Sequence, residues 1–512
     1  MAEASTPTTI SVISALPTDL RRSVYNTFSP SHPADLAFPS RTGHDQGLVA
    51  GNGRPWTAAA GRPAGRAARG TRDDADMRIV SEPVLVDLLA ARLADRPDRP
   101  NGPERPDRPP LIVAAGNFAT PTVAVGALDR ALSAYRLFVL NAQHGVPERP
   151  GVTPVTPFVG PGMREHRALE YLPCRLSMVP RLFTGAHRPD AVILHTSRPV
   201  DGKVSMGTEV NILPAAVEAV RSSGGLVIAQ TNSRMPYTFG DGELSCDEVD
   251  LALEVDVPLA SPAFRQTSDI HHEIGARVAA LVADGATLQL GIGAVPDATL
   301  AALTGGRRLR VWTETFSDGV LALDRSGALA ADAELVTSFV FGSGELYAWL
   351  DRNSRVRLLR TETVNDPGTI ARQPGMTSIN TALQIDLHAQ ANASFVRGRV
   401  WSGFGGQPDF VTGALHATGG RAIIALPSWH SKTGRSTVVR ALAEPTTSFQ
   451  HSHVISEHGT AQLWGRGQEQ QARDLIEHVA HPAARPGLRE AGAEGHTDGR
   501  DAGRAEGSEL PA

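Results

Sequence analysis

Lysine is almost absent: of 512 residues, only Lys203 and Lys432 carry an ammonium side chain. A Schiff-base or pyridoxal mechanism therefore has two candidate residues, neither in a suggestive setting, and that chemistry is set aside. Cysteine is as scarce. Cys174 and Cys246 stand far apart, which argues against a disulfide framework and a cysteine-rich zinc site and fits a reducing, cytoplasmic home. No stretch reaches the roughly 18 uncharged apolar residues of a membrane helix. The N-terminus has no basic region followed by an apolar core, so the chain reads as soluble and unexported. A dominant charge is missing too: 49 Lys and Arg against 54 Asp and Glu leave a net charge of −5, with the arginines scattered. No nucleic-acid surface is expected, and the partners should be small molecules.

What the chain does have is length and apolar residues, 41% of the total, enough for two or three cores. Residues 1–76 are rich in Pro, Gly, Ser, Thr, Ala and Arg without periodicity and read as a disordered leader, with Met77 a candidate start. Acidic residues such as Glu3 and Asp19 suit a transit peptide poorly. From Ser81, a candidate cap, Leu85, Leu88, Leu89 and Leu93 form one helical face. The Pro/Asp/Arg run Arg96 to Pro110 should be an exposed loop. Alternating strands and helices follow: Leu111 to Ala115, Leu137 to Leu140, Ala191 to His195, a helix near Pro214 to Ser222, and Leu226 to Ala229. These define a first α/β domain, 77–256.

A second α/β domain, 257–488, opens on a helix from Asp269 to Ala283 with Ile270, Ile274, Val278, Leu281 and Val282 on one face. Its later strands are expected at Arg308 to Trp312, Glu334 to Phe341, Arg355 to Leu359, Gly398 to Ser402 and Arg421 to Leu426, with a closing helix from Gln468 to Val479. Residues 489–512 read as a disordered tail.

Several motifs invite chemistry. Gly291-Ile292-Gly293, between a strand and a helix, resembles a dinucleotide fingerprint, but Pro296 occupies the third glycine position, and a plain structural turn is the competing reading. His271-His272-Glu273 lacks the second histidine that HExxH needs, because position 276 is Ala. Gly342-Ser343-Gly344 lacks the leading glycine of a nucleophile elbow. Glu314, in Thr313-Glu314-Thr315-Phe316-Ser317-Asp318-Gly319, ends a strand where open α/β sheets place their chemistry; the plain alternative is a solvated turn glutamate. The loop Trp401 to Phe410 is dense in glycine, which lets backbone N–H groups approach a ligand and stabilise an oxyanion.

Taken together, LQLGIGAVPDA, WTETFSDGV, SFVFGSGELY, VNDP at Val364 to Pro367, SINTALQIDL, SGFGGQPDF and SEHGTAQLWG resemble the acetyl-CoA hydrolase/transferase family of class I CoA-transferases, most of all its 4-hydroxybutyrate and butyryl-CoA:acetate enzymes. The resemblance implies two related open α/β CoA-transferase-type domains and a homodimer or homotetramer. It implies coenzyme A as a substrate, with no cofactor and no metal. It makes Glu314 the residue that is acylated and then carries CoA as a thioester. Gly405 or Gly406 would supply a backbone oxyanion donor and Asn365 a second donor. Gly291, Gly293, Gln407 and Glu457 would line or support the CoA and substrate site, with Ser456 in place of the usual threonine.

Departures gather in the first domain. Met235-Pro236-Tyr237-Thr238-Phe239-Gly240-Asp241 is followed by Ser245 where a histidine is usual, and Ser205-Met206-Gly207-Thr208-Glu209 stands for the usual S-x-G-V-S. They bear on the substrate more than on the reaction. The expected activity is transfer of CoA between a short-chain acyl-CoA (acetyl, butyryl or 4-hydroxybutyryl) and a carboxylic acid such as acetate. The same glutamate could serve an acyl-CoA hydrolase, and a non-catalytic CoA-binding protein is the third reading.

Overall fold

The inner strands of the first sheet bury both of their faces, as parallel sheets covered by helices must. In Leu111–Ala114 the alternation is plain: Leu111 and Val113 join one hydrophobic cluster, Ile112 and Ala114 the other. The computed structural model describes residues 77–94, 108–262, 267–446, 448 and 450–491. The leader 1–76, most of the Arg96 to Pro110 loop, the end of the interdomain connection and the tail beyond 491 lie outside the described residues.

The seven strands of this sheet are all parallel. Their spatial order is Leu251–Val255, Leu226–Asn232, Ala191–Thr196, Leu111–Ala114, Tyr135–Phe138, Val152–Thr156 and Glu170–Tyr171. Helices Glu82–Leu93 and Thr122–Ala131 cover one face through Leu85, Leu89, Leu93 and Leu128. Ser81 stands at the N-cap of the first, but its side chain makes no capping bond.

The second sheet has nine strands. Thr287–Leu290 lies at its centre, flanked on one side by Arg310–Trp312, Leu335–Thr337 and Val356–Leu358, and on the other by Thr377–Asn380, Arg421–Ala425, His453–Ser456 and Gly459–Gln462. Only the last pair is antiparallel. The far edge is Phe239–Gly240, a short strand from the segment preceding residue 256. One hydrophobic cluster holds Val113, Phe138 and Leu194 together with Leu288, Phe316 and Ile423, so the core is continuous from sheet to sheet.

Four expectations need correction. The strand foreseen over Glu334 to Phe341 is two strands, Leu335–Thr337 and Phe339–Val340, broken at Ser338, whose N–H and C=O are both taken by other segments. Gly398 to Ser402 adds nothing to the main sheet: Arg399–Val400 pairs only with Phe395–Val396 in a hairpin. Residues 489–491, expected in a disordered tail, are helical: the closing helix ends at Val479, and a separate short helix runs past Gly487 to residue 491, with Leu488 packed into the core and Arg489 paired with Glu477 at 2.7 Å. In the helix Asp269–Leu281 the buried face is Ile274 and Val278, while Ile270 is exposed.

Candidate active site

Residues leaving the carboxyl ends of strands from both sheets line one cavity of about 230 Å³. Asn117, Asn141 and Phe158 follow strands of the first sheet; Gly291, Glu314 and Thr381 follow strands of the second. Open α/β sheets present ligands there, since loops diverge and backbone groups are unpaired.

Glu314 sits between Arg310–Trp312 and Thr315–Phe316. The buried Thr313 before it fastens the neighbouring strand, its Oγ1 donating to the Leu290 carbonyl at 3.2 Å. The Glu314 carbonyl accepts three hydrogen bonds, from Ser338 N, Phe339 N and Thr337 Oγ1, each at 3.0 Å. This accounts for the strand break at Ser338: the peptide that would continue a ladder holds the Glu314 backbone instead.

The Glu314 side chain faces the cavity. Asn365, fully buried at the end of the turn Thr361–Val364, donates from Nδ2 to Oε2 at 2.9 Å, and its own Oδ1 accepts from Thr361 Oγ1 at 3.3 Å. On the same oxygen lies Gly406: a Cβ there would stand 1.9 Å from Glu314 Oε2 and 2.3 Å from Asn365 Nδ2, so only glycine fits. Gly405 has φ +52°, and a Cβ on it would reach the Phe158 ring at 3.0 Å. Hydrogen bonds from residues 176 and 177 help to hold this loop to the first half of the chain. Leu176 N donates to Gly405 O at 3.1 Å, and Asp409 accepts from Ser177 Oγ at 2.8 Å and Ser177 N at 3.1 Å.

Solvent reaching the cavity leaves Glu314 half-buried by area, yet its carboxyl is enclosed by protein. Desolvation pushes its pKa up to about 7; the Asn365 hydrogen bond pulls it down and the nearby Asp409 charge adds to the rise. Asp409 itself is raised to about 6 by burial, against the pull of its bonds to Ser177. A second glutamate, Glu209, is 1% exposed and is raised to about 8, mainly by burial and partly by the charge on Glu314. The site thus gathers three carboxyls, and burial disfavours the ionised form of each.

Of the residues singled out in the sequence, Glu314, Gly291, Gly405, Gly406 and Gln407 line the cavity, and Asn365 touches Glu314 from behind the wall. Gln407 offers an Nε2 without a hydrogen-bond partner among the described residues. Gly293 does not line it; with φ +135° it starts the helix Ala294–Ala302 and shapes the turn behind Gly291. Glu457 is not in the wall either, accepting from Ser428 Oγ at 2.5 Å and Ser428 N at 2.9 Å. Asn117, Asn141, Asn211 and Glu209 were not assigned from sequence. The one signal for them was Thr208-Glu209 in place of a small apolar and serine pair. Among the described residues, no group of three or more His, Cys, Asp or Glu side chains could hold a metal ion, and no helix is long and apolar enough to cross a membrane.

A buried carboxylate at a sheet's carboxyl edge, met by an amide donor and a glycine backbone, defines an acyl-transfer site on an α/β scaffold. Residues 342–492 match the acetyl-CoA hydrolase/transferase C-terminal domain. The chain is 35% identical over 331 residues to a 4-hydroxybutyrate coenzyme A transferase of Clostridium kluyveri, covering 62% of this chain and 76% of that one. It is 35% identical over 344 residues to a succinyl-CoA:acetate/propanoyl-CoA:succinate CoA transferase of Fasciola hepatica, covering 64% and 70%. Its fold is similar to the crystal structure of RipA from Yersinia pestis, with a TM-score of 0.73 and 26% identity over 82% of this chain and 98% of that one. The chain belongs to the acetyl-CoA hydrolase/transferase family.

Proposed function

We propose that this enzyme transfers CoA between a short-chain acyl-CoA and a carboxylic acid such as acetate, with Glu314 as the covalent carrier. The observation that carries the reading is the Glu314 carboxyl, desolvated in the cavity wall with Asn365 Nδ2 and the Gly406 backbone on one oxygen. Ionised Glu314 attacks the thioester carbonyl, forming a mixed anhydride and releasing the CoA thiolate. The thiolate attacks the glutamyl carbonyl, the anhydride C–O bond breaks, and the carboxylate of the acyl group departs, leaving a glutamyl-CoA thioester. An incoming carboxylate runs the same two steps in reverse. No proton is gained or lost overall, and the thioester bond is conserved.

A raised pKa suits this role, since a poorly solvated carboxylate is the better nucleophile. Each attack on the glutamyl carbonyl places negative charge on an oxygen beside Asn365 and Gly406; donors of this kind are worth about 2.7–4 kcal/mol each in comparable sites. Water is the competing acceptor, and the same glutamate would then serve a hydrolase. Among the described residues lining the cavity there is no histidine, and the only carboxylate is the nucleophile, so no lining group is placed to deprotonate a water.

Intact-mass analysis after mixing with acetyl-CoA tests the proposal. A CoA-mass adduct removed by hydroxylamine or by butyrate is expected, with parallel-line kinetics for acyl exchange. Rapid thiol release indifferent to any carboxylate, with no adduct, would instead mean a hydrolase. CoA binding with neither adduct nor thiol release would mean a non-catalytic CoA-binding protein.

A further inference from the structure

Asp409 is a carboxyl that the steps through Glu314 leave without a task. It is fully buried in the first turn of the helix Gln407–His416 and is not part of the cavity wall. Both of its oxygens turn to the first half of the chain, Oδ1 accepting from Ser177 Oγ at 2.8 Å and Oδ2 from Ser177 N at 3.1 Å. The half-exposed Arg175 stands 4.0 Å from Oδ1. One residue before Ser177, Leu176 N donates to Gly405 O at 3.1 Å. Consecutive N–H groups of one short turn therefore grip the glycine loop at Gly405 and again at Asp409, with Gly406 between the two. Gly406 N has no backbone acceptor among the described residues, which leaves its N–H available to a ligand oxygen.

The rear of the same helix is set by the second domain. Phe410, Val411 and Ala414 share a cluster with Val364 and Ile370, and a Cβ on Gly413 would stand 2.4 Å from Ile370 Cγ2. Ile370 belongs to the helix Pro367–Ala371, which follows Asn365. The two donors assigned to one Glu314 oxygen thus stand at the ends of two packed helices, and the grip on the first turn is the remaining restraint on where Gly406 lies. A buried carboxylate is a costly way to fill space, since its desolvation is offset here by one serine and a distant guanidinium. We propose that Asp409 is a positioning residue for the reaction: through Ser177 it sets the Gly406 N–H against the Glu314 carboxyl, so that a donor carried by one half of the chain is aimed by a contact with the other. The inference rests on the acyl-transfer reading and adds to it a residue outside the cavity. A carboxylate suits the task because it accepts from Ser177 N and Oγ together, whereas an amide turns an NH2 toward one of them. Misplacing a group of this kind by about 1 Å costs about 10²-fold in rate.

The test is formation of the CoA adduct from acetyl-CoA, followed by rapid quench and intact mass, which gives a rate, an amplitude and a half-saturating concentration. Asp409→Asn should slow the adduct by about 30- to 100-fold, with amplitude and half-saturation within about twofold of the parent. Ser177→Ala, the milder change for folding, removes the hydroxyl bond alone and should slow it by about 5- to 10-fold. The double variant should stay within about threefold of Asp409→Asn, because both substitutions break one contact. A carboxyl that serves folding only gives a lower amplitude at an unchanged rate, and that result overturns the inference. Unchanged rates in both single variants overturn it as well, as does a multiplicative loss in the double variant or a loss confined to half-saturation. Absence of any adduct in the unsubstituted enzyme would instead sink the transferase reading, and this inference with it.

Discussion

The two sheet edges that meet at the cavity are built differently. The edge of the nine-stranded sheet presents one carboxylate whose backbone is fixed by three hydrogen bonds and whose side chain is met by an amide and a glycine with no room to spare. The edge of the seven-stranded sheet presents two amides in strained conformations, Asn117 and Asn141, which lean on a second carboxyl, Glu209, from a separate segment that also carries Asn211 and its unpaired oxygen. The first is constrained in shape and the second in polarity. Changes in the first should therefore abolish turnover, and changes at Glu209 in the second should alter stability.

The largest effect is expected from Glu314→Gln, a loss of at least about 10⁴-fold in kcat with acyl-CoA affinity retained. Stopped-flow assay beside equilibrium binding checks it; near-normal turnover, with mass analysis excluding reversion to Glu, removes the covalent role. Gly406→Ala should cost about 10³-fold, since its Cβ would displace both Glu314 Oε2 and Asn365 Nδ2. Asn365→Ala should lower kcat by about 10²-fold with less change in KM. A change confined to KM would make it a binding residue.

The smallest effect lies on the other edge and appears in stability. Glu209 has a folded pKa of about 8 against an ordinary value of 4.5. The folded state therefore binds the extra proton between those values, and Glu209 imposes no penalty below pH 4.5 and a growing one as pH rises toward 8. Glu209→Gln should raise Tm at pH 8 by a few degrees and change it little at pH 4.5, as calorimetry would show. A Tm difference independent of pH would place the Glu209 carboxyl in a solvated setting.

Legibility in the sequence followed the same division. Glu314, Asn365 and Gly406 lie in short motifs whose residue types announce their chemistry, and the structure brings all three onto one oxygen. The main parallel strands were readable because burial on both faces gives continuous apolar runs such as Ala191 to Leu194. Asn117, Asn141 and Asn211 were not readable. Each is a single polar residue outside the strands; Asn211 is two residues from Glu209, but only contacts 24 and 92 residues apart in sequence join Asn141 and Asn117 to it. The break at Ser338 was hidden for a related reason: its partners, Val210, Asn211 and the Glu314 carbonyl, come from other segments. Local pattern shows where a strand is favoured and not where another segment interrupts it.

The stretch Thr208 to Asn211 bonds to Ser338 and Val340, and Asn211 O accepts from Thr361 N at 2.9 Å. This seam has a consequence for the order of events during folding. Closing it requires chain segments about 130 to 150 residues apart to meet, a slow step relative to forming helices or neighbouring parallel pairs. After dilution from denaturant, helical signal should return first and the capacity to form the CoA adduct later, the lag measuring the docking of the two halves.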